Sequence, residues 1–159
     1  MIIFTQKSIK KGLFSRILGI FSAFLAILSL NGCSKSGASE QDQMIAYAKS
    51  HSINYTTDAS GILYEIITPG NSTHPTVNNT ITVTYVGTLM NGNQFDAGTI
   101  TYALSQLIPG WQIAVPKIGV GGEIKVLIPS SLGYGSAGAG SSIPGNSPLY
   151  FNIKLSAVK

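Results

Sequence analysis

Ile81-Thr-Val-Thr-Tyr-Val-Gly-Thr-Leu-Met-Asn-Gly-Asn-Gln-Phe-Asp96 holds a strand, a turn signal and the start of a returning strand. From Thr80 to Leu89, Ile81, Val83 and Tyr85 fall on one face and Thr82, Thr84 and Val86 on the other. That period of two belongs to a half-buried strand, and it puts Tyr85 in the inward row. Asn91-Gly92 suits a tight hairpin turn, because both residue types tolerate positive φ. Asn93 to Asp96 opens the return, where Phe95 and Asp96 fall on opposite faces unless a bulge or strand end redirects one of them.

Outward from this hairpin, Thr99 to Leu104 reads as a further strand, with Ile100, Tyr102 and Leu104 sharing a face. Glu123 to Pro129 alternates with Ile124, Val126 and Ile128 inward, and Leu149 to Val158 with Phe151, Ile153 and Leu155 inward. Upstream, Gly61 to Thr68 is an aliphatic strand that stops at Pro69-Gly70, and Asn71 to Asn79 is a loop. Leu107-Ile-Pro-Gly-Trp111 contains the only tryptophan. Trp111 to Val115 is about one helical turn, ended by Pro116. The expected fold class is α+β: a twisted antiparallel sheet of five to six strands wrapped around one short helix. Gly133 to Gly145 is rich in Gly and Ser, but it is enclosed between two strands and therefore reads as a functional loop rather than a linker. The Gly119 to Gly122 cluster is turn chemistry; no Gly-Lys-Ser/Thr follows it, as a phosphate loop requires.

The chain of 159 residues carries a net charge of +4, and the location of that charge decides its meaning. Lys7, Lys10, Lys11 and Arg16 precede residue 17, whereas six basic and six acidic residues follow Cys33. The folded part is neutral, so the clustered basic face of a nucleic-acid binder is missing. The early charges precede an apolar run from Ile17 to Leu30, which is short for a bilayer span of roughly 20 residues and has the layout of a secretory signal. The run ends in Leu30-Asn-Gly-Cys33, which resembles a bacterial lipobox: residues 1–32 are expected to be a lipoprotein signal peptide and Cys33, the only cysteine, to carry lipid. Residues 33–57 are expected to form a tether and a short helix. Ser39 and Asp42 are spaced as a capping box, and Met44, Tyr47, Ala48 and His51 recur at helical spacing over about Glu40 to Ser52. Residues 58–159 are then the domain proper, expected to fold without that helix because every candidate pocket residue follows it.

The chemistry on offer is narrow. Asp96 has no carboxylate partner close in sequence, and Ser130 and Ser131 have no nearby base, so paired-acid and nucleophilic chemistry have little to work with. His51 and His74 are isolated from other ligand types, so no metal is expected. What remains is aromatic and aliphatic lining with single polar groups. Such a pocket suits an apolar cyclic side chain, and proline is the obvious one.

At this point the sequence resembles a known family. Ile81 to Asp96, Gln106-Leu-Ile-Pro-Gly-Trp111, Ile128-Pro-Ser-Ser-Leu-Gly-Tyr-Gly135 and Ser142-Ile-Pro-Gly-Asn146 are similar, in order and spacing, to FKBP-type peptidyl-prolyl cis-trans isomerases. The resemblance covers about residues 61 to 159. It implies an enzyme that twists X-Pro amides, with no cofactor. By position it makes Trp111 the floor under the proline ring, and Tyr85, Phe95, Ile108 and Phe151 the walls. It places Tyr102 and Leu107 at the rim and Ile143 over the site from the long loop. Asp96 would lie beside the twisted amide and orient Tyr85, while the Ile108 N–H and the Tyr134 hydroxyl would hold substrate carbonyls. The chain departs from the family pattern in the short Ala97-Gly98-Thr99 segment, in Ile100 where an aromatic is usual, and in Ser105 where glycine is usual.

Together with the lipobox, tether and short helix, the resemblance extends to the exported lipoproteins of this family in Gram-negative bacteria. It implies a lipid-anchored monomer of the cell envelope, on the outer membrane facing the periplasm. Its ligands would be proline-containing polypeptides and the macrolides that bind this family. An alternative is a membrane-tethered proline-motif binding module or chaperone with little turnover; a third reading is a structural lipoprotein with a degenerate site.

Overall fold

The computed structural model describes residues 37–159. The leader and Cys33 lie outside the described residues. Among the described residues no helix is long and apolar enough to cross a membrane.

The elements run α1 (Glu40–Ser50), β1 (Thr56–Thr57), β2 (Leu63–Thr68), β3 (Thr80–Leu89), β4 (Gln94–Ala103), α2 (Pro109–Ala114), β5 (Glu123–Ile128) and β6 (Leu149–Val158). Six strands form one antiparallel sheet in the order β1-β2-β5-β6-β3-β4. The expected α+β sheet and its short central helix are both present.

One face of the sheet and α2 enclose the main core. Ile81, Val83, Ile124, Val126, Ile128, Ile153 and Leu155 are all fully buried there, the inward rows that the alternation predicts. Pro109 is the first residue of α2, where its fixed φ fits and its missing N–H costs nothing. The helix therefore starts two residues earlier than the sequence reading placed it, and after Ala114 it tightens into a 310 turn containing Pro116. Gly110 lets this helix sit against β5: a Cβ there would lie 2.4 Å from Ile128 Cγ2.

The other face carries a second core that the sequence reading did not foresee. Met44, Tyr47 and Ala48 of α1 bury themselves with Ile53 against Leu63 of β2 and Leu127 of β5. Ser39 caps α1, its side chain accepting from the Asp42 N–H while the Asp42 carboxylate accepts from the Ser39 N–H at 3.3 Å, the expected capping box. The packing thus runs across the boundary drawn at residue 58, and α1 is part of the described compact unit rather than a spacer in front of it.

Thr99 to Leu104 is not a separate strand. Thr99 to Ala103 continues the hairpin return, so that β4 runs for 10 residues beside β3, and Leu104 opens a 310 turn. Two alternating strands joined by a short turn pair along their full length when nothing is inserted between Asp96 and Ile100. Thr82 with Thr101 and Thr84 with Thr99 share side-chain hydrogen bonds across this pair on its solvent face.

Candidate active site

The register of β3 against β4 shifts once. Gly87 faces Asp96 and Thr88 faces Gln94, which leaves Phe95 as the extra residue of a bulge. A bulge re-aims side chains, and here it resolves the ambiguity in the sequence: Phe95 and Asp96, neighbours in an extended strand, both line the same cavity. Gly87 is the residue that makes room, because a Cβ there would lie 2.6 Å from the Phe95 ring and 2.9 Å from that of Phe151.

The cavity has a volume of about 80 Å³ and lies between the hairpin, α2 and the loop after β5. Its lining brings together Tyr85, Phe95, Asp96, Leu107, Ile108, Trp111, Tyr134 and Phe151, all predicted from sequence. Trp111, only 4% exposed, meets Tyr85 and Phe151 edge to face at 5.2 Å each, and Phe95 meets Phe151 in the same way at 5.5 Å. Edge-to-face pairs set the positive rim of one ring against the negative face of another, and so fix four rings around a hollow. The Trp111 Nε1–H is buried without a hydrogen-bond partner among the described residues.

Two predicted residues lie elsewhere. Tyr102 is 53% exposed on β4 and does not border the cavity. It shares the inward row with Ile100, but it stands opposite Ile81 near the end of the hairpin strand. Ile143 is buried in the main core, where its N–H and C=O both pair with Ala139; it pins the long loop to the domain and is not part of the cavity lining. Conversely, Ile100 lines the cavity although it was not among the predicted site residues. The available signal was its place in the sequence, where the family usually has an aromatic.

The polar groups are few and oriented. The Tyr85 hydroxyl donates to Asp96 Oδ2 at 2.5 Å. Burial first, then this bond and the Asp96 charge, push the Tyr85 phenol up to about 12. Burial and the Asp96 charge also raise Tyr134. Both phenols are therefore neutral donors at any physiological pH. The Ile108 amide opens α2, at the end where helical donors have no intrahelical partner.

A pH prediction follows from the Tyr85 shift. A phenol whose folded value is raised from 10.0 to about 12 contributes stability that is fully present below pH 10 and disappears as pH rises through 12. Tyr150, raised to about 12 chiefly by burial, acts in the same direction. Phenolate absorbance during alkaline titration should show Tyr85, Tyr134 and Tyr150 ionising later than an ordinary tyrosine, and Tyr85→Phe should remove one of them. A titration in which Tyr85→Phe leaves the late ionisation unchanged would contradict the Tyr85–Asp96 geometry.

Among the described residues no group of three or more His, Cys, Asp or Glu could hold a metal ion. The site offers shape, rings and fixed donors.

Comparison with known proteins gives this geometry its family. The model described as FKBP-type peptidyl-prolyl cis-trans isomerase matches residues 71–156. The chain is 42% identical over 104 residues to the probable FKBP-type peptidyl-prolyl cis-trans isomerase FkpA of Neisseria meningitidis, covering 62% of this chain and 38% of that protein. It is 40% identical over 105 residues to the outer membrane protein MIP of Legionella longbeachae, covering 63% of this chain and 45% of that one. The crystal structure of FkpA from Escherichia coli superposes with a TM-score of 0.69 at 33% identity, over 76% of this chain and 59% of that chain. The matches thus span less than half the length of these two curated relatives. With residues 71–156 inside the family model and the fold superposing on that of a solved relative, the chain belongs to the FKBP-type peptidyl-prolyl cis-trans isomerase family.

Proposed function

We propose that this protein is a peptidyl-prolyl cis-trans isomerase that assists the folding of exported or envelope proteins by twisting X-Pro amides in the cavity over Trp111. The observation that carries the reading is the cage of Tyr85, Phe95, Trp111 and Phe151, with Asp96, the Ile108 amide and Tyr134 as its polar contacts.

The mechanism uses no proton transfer. Rotation about an X-Pro bond meets a barrier of about 18–20 kcal/mol because twisting destroys amide resonance. The planar amide is the more charge-separated form, so a site that replaces water with rings disfavours it relative to the twisted one. A proline ring on Trp111, with carbonyls held by the Ile108 N–H and the Tyr134 hydroxyl, would keep the bond twisted. Asp96 holds the Tyr85 ring in place and sets the local field. Each ~1.4 kcal/mol of preference for the twisted state is worth about tenfold in rate.

Exchange NMR on an Ala-Leu-Pro-Phe peptide tests this. The protein should accelerate cis/trans exchange, and Asp96→Val should lower turnover by about tenfold, a loss of ~1.4 kcal/mol, while leaving the fold intact. The rate should show no bell-shaped pH profile, since no two titrating groups are essential. Peptide binding with unchanged exchange would reduce the protein to a proline-motif receptor.

The place of action is proposed on two supports: the layout of residues 1–33 and the name of the Legionella relative as an outer membrane protein. Cys33 is proposed to carry lipid, to be the mature N-terminus and to hold a monomer on the outer membrane, facing periplasmic proline-containing chains; macrolides would compete in the same cavity. Stable anchoring takes two membrane signals rather than one acyl chain. Mass spectrometry of membrane-extracted protein should find at least two acyl chains on a chain starting at Cys33, and Cys33→Ala should move the protein to the soluble fraction. An unmodified Cys33 would remove the anchoring claim.

A further inference from the structure

One carboxylate ties α1 to the turn that leads to Tyr134. Glu40, in the first turn of α1, accepts the Ser130 backbone N–H with one oxygen and the Ser130 hydroxyl with the other, each at 2.6 Å. Ser130 opens the 310 turn that follows β5, a turn whose own N-terminal residue, Pro129, gives no side-chain cap. At 6% exposure it is the buried polar residue among those described. A carboxylate taking both donors of such a residue forms short, charge-assisted bonds that resist displacement by water.

The bonds continue toward the cavity. The Ser130 carbonyl accepts the N–H of Gly133 at 2.9 Å and of Gly135 at 2.8 Å, one on each side of Tyr134. The Gly135 carbonyl accepts from Asn146, which ties in the far end of the long loop. Tyr134 is 39% exposed and has no sheet or helix of its own to hold it. Its position at the cavity is set by the turn, and the start of the turn is set by Glu40.

We propose that Glu40 is a positioning residue for isomerisation: by capping the Ser130 turn from another element, it fixes the Tyr134 hydroxyl where the substrate carbonyl binds. The proposal rests on the isomerase reading given above. It makes α1 a working part of the site.

The test is a double-mutant cycle in the full chain, read by peptide exchange NMR and by the 13C ring signals of Tyr134. Glu40→Ala should lower kcat/KM by about fivefold to tenfold, where tenfold corresponds to ~1.4 kcal/mol. Glu40→Gln should recover most of the rate, because its amide oxygen still accepts the Ser130 N–H and its NH2 can donate to the Ser130 hydroxyl. In a Tyr134→Phe background, Glu40→Ala should cost less than about twofold, since residues acting through one group are not additive. Ser130→Ala, which keeps the backbone bond, should fall between wild type and Glu40→Ala, and it serves if Glu40→Ala does not fold. Equal losses from Glu40→Ala with and without the Tyr134 hydroxyl would overturn the proposal. If the wild type does not accelerate exchange, the isomerase reading fails on its own. Positioning is then read from the Tyr134 ring signals, which should shift and broaden in Glu40→Ala and stay in place in Glu40→Gln; unchanged signals in Glu40→Ala would overturn it.

Discussion

Trp111→Ala is expected to destroy the cavity and to cost the domain about 3–5 kcal/mol, the range for emptying a large aromatic from a core. The indole is 4% exposed and touches two rings edge to face, so its loss leaves Tyr85 and Phe151 without the surface that orients them. Binding of any proline peptide should weaken by at least about tenfold, or ~1.4 kcal/mol. Because instability alone could produce that loss, Trp111→Phe is the informative companion. It retains a ring in the core but a smaller floor, and it should keep most of the stability while still weakening the peptide. Thermal unfolding and peptide titration by NMR measure the two effects separately. Full peptide affinity in a folded Trp111→Ala protein would show that the proline ring sits elsewhere.

Removing everything before Asp58 is expected to unfold the domain or leave it close to its midpoint at room temperature. Met44 is fully buried and Tyr47 6% exposed against Leu63 and Leu127. Each buried side chain of this size is worth about 2–5 kcal/mol, and the whole stability of a domain is only about 5–15 kcal/mol. The cut also strips the cap from Ser130. Circular dichroism and denaturant unfolding of the two lengths provide the comparison; Met44→Ala in the full chain should reproduce about 2–5 kcal/mol of the loss. Equal unfolding midpoints for the two lengths would mean that the α1 face adds nothing.

α1 itself is legible in the sequence, from its capping box and helical spacing, but the sheet face it packs against is not. The inward strand rows were legible because period-two alternation reports which face is buried, and Ile81, Val83, Ile124, Val126 and Ile153 are fully buried as read. Alternation says nothing about a second buried face unless the outward row is also apolar. Here that row contributes single residues, Leu63 from β2 and Leu127 from β5, which look like scatter until α1 is laid over them. The Phe95 bulge is similar: pattern reading supplied both side chains but not the register shift that turns them to one side. Glu40 and Ser130 are 90 positions apart, and no local rule joins them. The unbroken β4 was hidden by treating Asp96 and Thr99 as ends of two strands, when the short segment between them simply pairs through.

The strand order makes β6 the keystone of the sheet. β6 is hydrogen-bonded to β5 on one side and β3 on the other, so the two halves of the sheet meet only through residues Leu149–Val158. Without those residues, the sheet would be divided into the β3–β4 hairpin and the β2–β5 pair, and a lone hairpin is marginal in water. Pairings between residues far apart in sequence also form slowly, because loop closure must precede the contacts that stabilise it. Docking of Leu149–Val158 between β3 and β5 is therefore the step that makes one sheet out of two separate pairs, and a substitution that weakens this strand should loosen both halves together.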